Sequence, residues 1–397
     1  MSDFTQESFA APLSSPDGPL GIIALDSIRD IGEKVDAFLS EWHKERVLKG
    51  LVSNNQGYAR DSYLIECDLP RFGSGEAKGV IKKSGRGLDI YILVDVCNNS
   101  MTYRLGEYQN IMSPDDHFQD LKRIIAAISG RAHRITVIMP YLYEGRMQTR
   151  SGRESLDCAN MLQELERLGV ATIITFDAHD PRVENAVPMM GCEIFRSTYQ
   201  FIKNLLRHVK DIKVDSDHLM VISPDAGGMN RAVYMANVLG VDMGMFYKKR
   251  DYSVPEVNGQ HPIVATEFLG SDVRGKDMII LDDMISSGGT MLSTAKLLKE
   301  RGAGRIFLTS TFGIFTNGLD AFDKAYEEGL FDRLITTNLV HQPEEFKEKP
   351  YTISCDMSKF IALIIDTLNH DETMSPLLNP QDRVRQVIEK YNRGEEI

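Results

Sequence analysis

Two carboxylates stand beside a run of small residues in "IILDDMISSGGTM", Ile279 to Met291. Asp282 and Asp283 close an apolar run, and Ser286, Ser287, Gly288, Gly289 and Thr290 lead into a helical pattern. Small residues and hydroxyls placed there can turn backbone N–H groups toward a phosphate, and the following helix N-terminus adds partial positive charge. Acids next to a phosphate are repulsive unless they serve another part of the ligand. Sugar hydroxyls meet that condition, since each charge-assisted hydrogen bond contributes roughly 1.5–3 kcal/mol. The pattern therefore points to a ribose carrying a phosphate at one end. A glycine pair alone would be an ordinary strand–turn–helix connection; the preceding "ILDD" favours the ligand.

Other polar residues gather at the ends of apolar runs. Arg146 and Arg150 follow "ITVIMPYLY", and Asp177, His179 and Asp180 end "IITFDAHD". Asp225 closes "MVISPD" ahead of Gly227 and Gly228, and Lys248, Lys249 and Arg250 close "GMFYKKR". Ligands of open α/β sheets collect outside the carboxyl ends of strands. Singly, a charge run is a solvated face and a histidine is a satisfied core residue. Five such ends in one chain are not explained that way.

The elements that must position these residues are legible from about residue 88 onward. "LDIYILVDV", "RITVIMPYLY", "VATIITFDAH", "HLMVISPD", "DMIILDDM" and "RIFLTSTFG" read as buried strands, separated by amphipathic helical patterns. In "SPDDHFQDLKRIIAAISG", Ser113 is a helix N-cap, Pro114 suits the first turn, and Asp115 and Asp116 favour the positive helix end. Leu121, Ile124, Ile125 and Ile128 form its apolar stripe, with Gly130 to close it. Capping explains "SPDDHF" better than metal binding does. Residues 319–329, 357–370 and "PQDRVRQVIEKYNRG" read as further helices, whereas 40–70 and 98–112 read as irregular. The strand–helix alternation runs twice, with a break near residue 195, and implies an α/β architecture with largely parallel sheets.

Bulk properties narrow the function. The 397 residues suffice for two domains, each with its own core. A formal charge of -12 argues against a general nucleic-acid binder. Five scattered cysteines without CxxC spacing predict free thiols in a reducing compartment rather than a disulfide framework or zinc site. No run approaches membrane-spanning length and no signal-peptide pattern opens the chain, so a cytoplasmic protein is expected.

"IILDDMISSGGTM" resembles the phosphoribosyl-diphosphate (PRPP) binding motif shared by type I phosphoribosyltransferases and ribose-phosphate diphosphokinases. The remaining motifs resemble the diphosphokinases: "VISPDAGGMNRA", "FYKKRD", "IITFDAHD", "MPYLYEGRMQTRSGRES", and "PRFGSGEAKGVI" followed by "GRGLDIYILVD". The resemblance runs from about residue 20 to 370, with extra residues near 45–65 and 100–112. It implies two similar phosphoribosyltransferase-like domains, each a largely parallel sheet flanked by helices: residues 20–195 on the ATP side and 196–370 on the ribose 5-phosphate side. A disordered leader, 1–19, and a helical extension, 371–397, flank them. The implied reaction is Mg2+-dependent transfer of diphosphate from ATP to ribose 5-phosphate, giving PRPP and AMP, in a homo-oligomer, a dimer or hexamer.

Residue by residue, the resemblance places Phe72 and Glu76 at the adenine, in a pocket shared with a neighbouring subunit. Arg146, Arg150 and His179 would bind ATP, and His179 and Asp225 would hold Mg2+. Lys248 and Arg250 would be catalytic, stabilising charge on the transferring phosphates. Asp282, Asp283, Ser286, Ser287, Gly288, Gly289 and Thr290 would bind ribose 5-phosphate. Lys248 and Arg250 alternate along an extended segment, so they can share one face, as a reaction driven by cations and alignment requires.

The chain departs from the pattern at Ser74, Met147, Gln148 and Ser286. A serine at 286 donates a hydrogen bond but is no carboxylate base, which weakens the phosphoribosyltransferase alternative most. A non-catalytic regulatory homologue and a diphosphokinase with another ribose-phosphate-like acceptor are the other readings.

Overall fold

The computed structural model describes residues 15–250, 253–254 and 263–397. The chain separates into two compact units, each with its own apolar core. The first takes residues up to Arg196 with Leu339–His341 and Asp356–Asn379; the second takes Ser197–Asn338, Gln342–Cys355 and Pro380–Ile397. This division interleaves the carboxyl-terminal stretch, in place of one 196–370 domain followed by an extension.

The first unit runs β1 (Leu20–Ala24), α1 (Arg29–Leu48), β2 (Cys67–Asp68), β3 (Val80–Ile81) and β4 (Asp89–Leu93). It continues through β5 (Thr102–Leu105), β6 (Tyr108–Ile111), α2 (Pro114–Ile128), β7 (Arg134–Ile138), α3 (Asp157–Arg167), β8 (Thr172–Phe176) and β9 (Gly191–Phe195). Strands β1, β4, β7, β8 and β9 form one parallel sheet in that spatial order. Every residue of β4 is buried, as a parallel sheet covered on both faces requires. Helix α2 starts as its sequence demands, with a capping box between Ser113 and Asp116. Its end differs slightly from expectation, because Ser129 itself turns left-handed at φ 56° ahead of Gly130.

The second unit runs α4 (Thr198–His208), β10 (Leu219–Ser223), α5 (Met229–Leu239), β11 (Asp242–Arg250), β12 (Ile263–Leu269) and β13 (Asp277–Ile285). After these come α6 (Gly289–Glu300), β14 (Ile306–Gly313), α7 (Asp320–Glu327), β15 (Arg333–Thr337), α8 (Glu344–Glu348) and β16 (Thr352–Cys355). Its seven strands lie in the order β12-β11-β10-β13-β14-β15-β16. All neighbours are parallel except β11 and β12. Helices α9 (Ser358–Asn369) and α10 (Ser375–Leu378) then belong to the first unit, and α11 (Gln381–Asn392) to the second. Both units are thus α/β, with largely parallel sheets flanked by helices. No helix of the described residues is long and apolar enough to cross a membrane.

Strands β4 and β13 share a local design. Arg86–Asp95 and Arg274–Asp283 both read R-G-x-D-x-x-I-L-x-D. Gly87 and Gly275 adopt φ of 72° and 73°, which a β-carbon disfavours. Asp89 takes two hydrogen bonds from Arg134, both at 2.8 Å; Asp277 takes its pair from Arg305, with Nε at 3.1 Å from Oδ1 and Nη2 at 2.6 Å from Oδ2. Strand β4 therefore occupies in the first unit the place of β13 in the second.

Both stretches expected to be irregular carry structure. Ile31, Val35 and Leu39 repeat every four residues and are buried, so α1 runs on to Leu48. Thr102–Ile111 folds as a hairpin that pairs Leu105 with Tyr108 around Gly106-Glu107, with Gly106 at φ 60° as a two-residue turn prefers. Beyond α1, residues Tyr58 and Tyr63 join a buried polar network with α9. Arg46 grips both oxygens of Asp366, at 2.8 and 2.5 Å. His43 lies between Asp366, 2.9 Å from Nε2, and the Tyr63 hydroxyl, 2.8 Å from Nδ1. The Tyr58 hydroxyl is 3.1 Å from Nε2 of His370. Burial alone would raise the Asp366 carboxyl; Arg46 and His43 outweigh it and hold that group well below the usual carboxylate range. His43, Asp366 and His370 are close enough to share a cation. Arg46 already spans both carboxylate oxygens and tyrosines engage the rings, so the cluster is a structural ion-pair network.

Candidate functional site

Strand order fixes where the second unit can hold a ligand. The chain leaves β10 for β11 on one side and returns through β13 on the other, so the order reverses between β10 and β13. That reversal opens a crevice at the carboxyl edge. Pairing of Ile222 with Ile280 brings β10 and β13 to that edge together, so Asp225 and the Asp282–Asp283 pair leave the sheet side by side. Strand β11 carries Lys248 and Arg250 in pairing with Thr266 and Ile263. The side chains of Lys248 and Arg250 lie outside the described residues, as do residues 1–14 of the expected leader.

The turn after β13 has the shape a phosphate cradle needs. Gly288 is the N-cap of α6 at φ 82°, and a β-carbon there would overlap the Phe322 ring. Only glycine satisfies both conditions. Ser287 and Gly289 are exposed and Thr290 is half-buried. The first-turn N–H groups of α6 have no intrahelical carbonyl to pair with and face outward from the helix end.

The two acids are not equivalent. Asp282 keeps 20% of its side chain exposed, whereas Asp283 keeps 4%. Arg231 of α5 lies 3.9 Å from Asp282 and 3.4 Å from Asp283. Burial first, then the charge of Asp283, pushes the Asp282 carboxyl well above the usual range, and Arg231 opposes the shift. A ligand that donates hydroxyl hydrogen bonds relieves that strain, because hydrogen bonding to the charged form favours it. Ser286 is held by its neighbours: its carbonyl accepts from Thr316 N–H at 3.0 Å and its hydroxyl is 3.3 Å from that of Thr316. Arg231 and Thr316 escaped the sequence reading. Arg231 had a signal, being a cation just inside the helix that follows the Asp225 turn; Thr316 had none.

Asp225 is half-exposed, and its Oδ1 accepts from Gly227 N–H at 2.9 Å and Gly228 N–H at 3.4 Å. These bonds fix one oxygen and aim the carboxylate. In the first unit, His179 is exposed beyond β8, and Asp177 turns the chain there at φ 35°. Asp180 is spent as the cap of a short helical turn and as the partner of Arg182. A carboxylate held as Asp225 is suits Mg2+, which keeps several waters and needs few protein ligands.

Arg146 and Arg150 are exposed on the loop after β7, with no carboxylate partner among the described residues. That loop is anchored by Tyr143, whose ring stacks on Phe118 at 4.6 Å and whose hydroxyl donates to Asp115 at 2.6 Å. Phe72 and Glu76 lie on an exposed turn in which Phe72 N–H donates to the Glu76 carbonyl at 2.7 Å. Ser74 donates to the Glu76 carboxylate at 2.8 Å, so the serine at this departure from the pattern orients the acid.

Comparison with known proteins covers both units. Residues 20–169 match the family model described as the N-terminal domain of ribose phosphate pyrophosphokinase, and residues 194–322 match the phosphoribosyl transferase domain. The chain is 28% identical over 320 residues to a ribose-phosphate pyrophosphokinase of Vibrio parahaemolyticus, covering 80% of this chain and 92% of that one. It is 25% identical over 351 residues to ribose-phosphate pyrophosphokinase A of Dictyostelium discoideum, covering 88% and 99%. In fold it is similar to phosphoribosylpyrophosphate synthetase from Mycobacterium smegmatis, with a TM-score of 0.69, 21% identity, and 89% and 99% of the two chains covered.

Proposed function

The chain belongs to the ribose-phosphate pyrophosphokinase family, and from that premise we propose that it transfers the diphosphate group of ATP to the 1-hydroxyl of ribose 5-phosphate. The hydroxyl oxygen bonds to the β-phosphorus and gives up its proton, the bond to the α-phosphate oxygen breaks, and PRPP and AMP result. One observation carries the assignment: a glycine-capped helix N-terminus beside a half-exposed carboxylate, at the strand-order reversal.

In this reading Ser287 to Thr290 hold the 5-phosphate while Asp282 and Asp283 accept from ribose hydroxyls, and Ser286 supports the turn. Arg146, Arg150 and His179 bind the ATP phosphates, and Phe72 and Glu76 meet the adenine in a neighbouring subunit's site. Lys248 and Arg250 stabilise charge on the transferring group, the largest contribution protein groups make to such reactions. Mg2+, held by His179 and Asp225 with its waters, would neutralise phosphate charge. The working form is a homo-oligomer, a dimer or hexamer, in the cytoplasm.

The test is incubation with ATP, Mg2+ and ribose 5-phosphate, with AMP and PRPP measured together. Equal amounts of both are expected. ATP binding without AMP formation would mark a non-catalytic regulatory homologue, and AMP released only with another sugar phosphate would redirect the acceptor. Lys248→Ala should lower turnover at least about 100-fold while ribose 5-phosphate binding persists.

A further inference from the structure

The 71–76 turn is a poor scaffold for a binding site by itself. Phe72, Gly73 and Ser74 are exposed, and two glycines stand within four residues. Ordering such a segment costs backbone conformational entropy. Its internal bonds are few: Phe72 with Glu76, Gly75 N–H with the Phe72 carbonyl at 2.9 Å, and Ser74 with Glu76.

The β5–β6 hairpin supplies what is missing. Its Gly106 N–H donates to the Gly73 carbonyl at 3.2 Å. The Tyr103 ring lies 4.7 Å from the Arg71 guanidinium carbon, and Arg71 donates to the buried Asp120 carboxylate at 2.7 Å. Gly75, at φ 89°, approaches Leu105 so closely that a β-carbon would sit 2.8 Å from Cδ1. Tyr103 and Leu105 are half-buried while Thr102 and Arg104 are exposed, so one face of the hairpin covers the turn. The hairpin occupies the β4–α2 connection, whereas β13 reaches α6 in three residues, 286–288.

We propose that this hairpin is a positioning element for the nucleotide site, with Tyr103 and Leu105 holding the 71–76 turn so that Phe72 and Glu76 are set for adenine before ATP arrives. The proposal rests on the reading that Phe72 and Glu76 contact the nucleotide. Pre-ordering lowers the cost of binding, so its signature is a change in ATP affinity with the chemical step and the ribose 5-phosphate side unaltered.

The stem closes where Met112 N–H donates to the Met101 carbonyl at 2.9 Å, so Thr102–Ile111 can be exchanged for Gly-Gly in the full-length chain. The expected result is a rise of about tenfold in KM for ATP, with kcat within about twofold and KM for ribose 5-phosphate unchanged. Tyr103→Ala should shift KM for ATP the same way by less, and Tyr103→Phe should restore it. Phe72→Ala is the reference for the underlying reading. If it raises KM for ATP while the excision does not, the hairpin has no positioning role and the nucleotide reading stands. If neither variant raises it, the turn does not hold the nucleotide and both fail. A uniform loss of kcat with both KM values altered would mark a merely structural part and overturn the proposal. Should the excised chain not fold, the Tyr103→Ala, Leu105→Ala double variant decides by the same split.

Discussion

From Arg86 to Leu93 and from Arg274 to Leu281, the two units present the same arginine–glycine–aspartate entry and the same apolar run. They part at the next residue, Val94 in one and Asp282 in the other. The following acid is common to both but meets different surroundings. Asp95 is fully buried and accepts from Cys97 N–H at 2.8 Å and His341 N–H at 2.7 Å. Asp283 faces Arg231 and stands behind Asp282 at the crevice. Leu64 pairs in parallel with Ile22 on the side of β1 away from β4, so the strand order turns back beside β4 as it does beside β13. A shared frame therefore does not make a site. What sets the second unit apart, and carries the proposed ribose 5-phosphate site, is one extra carboxylate and a short glycine-capped connection.

The largest expected effect comes from erasing that difference. Asp282→Val, which imports the residue of the first unit, should lower turnover by roughly 100- to 1,000-fold. Thermal stability should hold or rise, since the variant removes a carboxyl whose charge is disfavoured by burial. A variant of near-normal activity would mean that the acid pair does not divide as the comparison says. Gly288→Ala comes next, because its φ and the Phe322 ring both oppose a β-carbon. It should destabilise the second unit by about 1–3 kcal/mol and weaken ribose 5-phosphate binding, read by denaturant unfolding and calorimetry.

Asp95→Asn should act in the opposite sense to Asp282→Val. It should leave turnover within about threefold and cost roughly 1–3 kcal/mol, since an amide N–H₂ must face a backbone N–H. Its pH dependence is the smallest and sharpest test. Burial, against the two backbone hydrogen bonds, pushes the Asp95 carboxyl up to about 7. The folded state therefore holds a proton that the unfolded chain has lost, and this stabilisation is complete below the ordinary aspartate pKa and lost as pH rises through 7. Stability of the parent relative to Asp95→Asn should fall between pH 4 and 7 by up to about 1.4 kcal/mol per unit. A flat difference would place Asp95 as a permanent carboxylate.

How much of this could be read from sequence depends on how local each cause is. The β13 turn was legible because its acids, hydroxyls and glycines are consecutive, and the capping box of α2 because its partners are three residues apart. The hairpin carries a local signal, β-prone residues flanking the two-residue turn Gly106-Glu107. So does α1, in the four-residue repeat of Ile31, Val35 and Leu39. The fate of Asp95 was not legible, because the N–H that seals it comes from His341. Nor was the pairing of Arg46 with Asp366, which sit 320 residues apart. The hold of Tyr103 on Arg71 likewise depends on a fold already formed.

The Arg46–Asp366 contact also sets an order of assembly. A chain emerging from the ribosome presents α1, with His43 and Arg46, long before α9 exists to receive them. Until residue 370 or so has been made, the first unit must wait with a cationic arginine and two tyrosines turned toward a space that only the late helix fills. Its completion is therefore expected to be post-translational, after the whole second sheet has been synthesised. A nascent chain arrested before residue 356 should remain accessible to protease at α1 even though all five strands of its sheet are present.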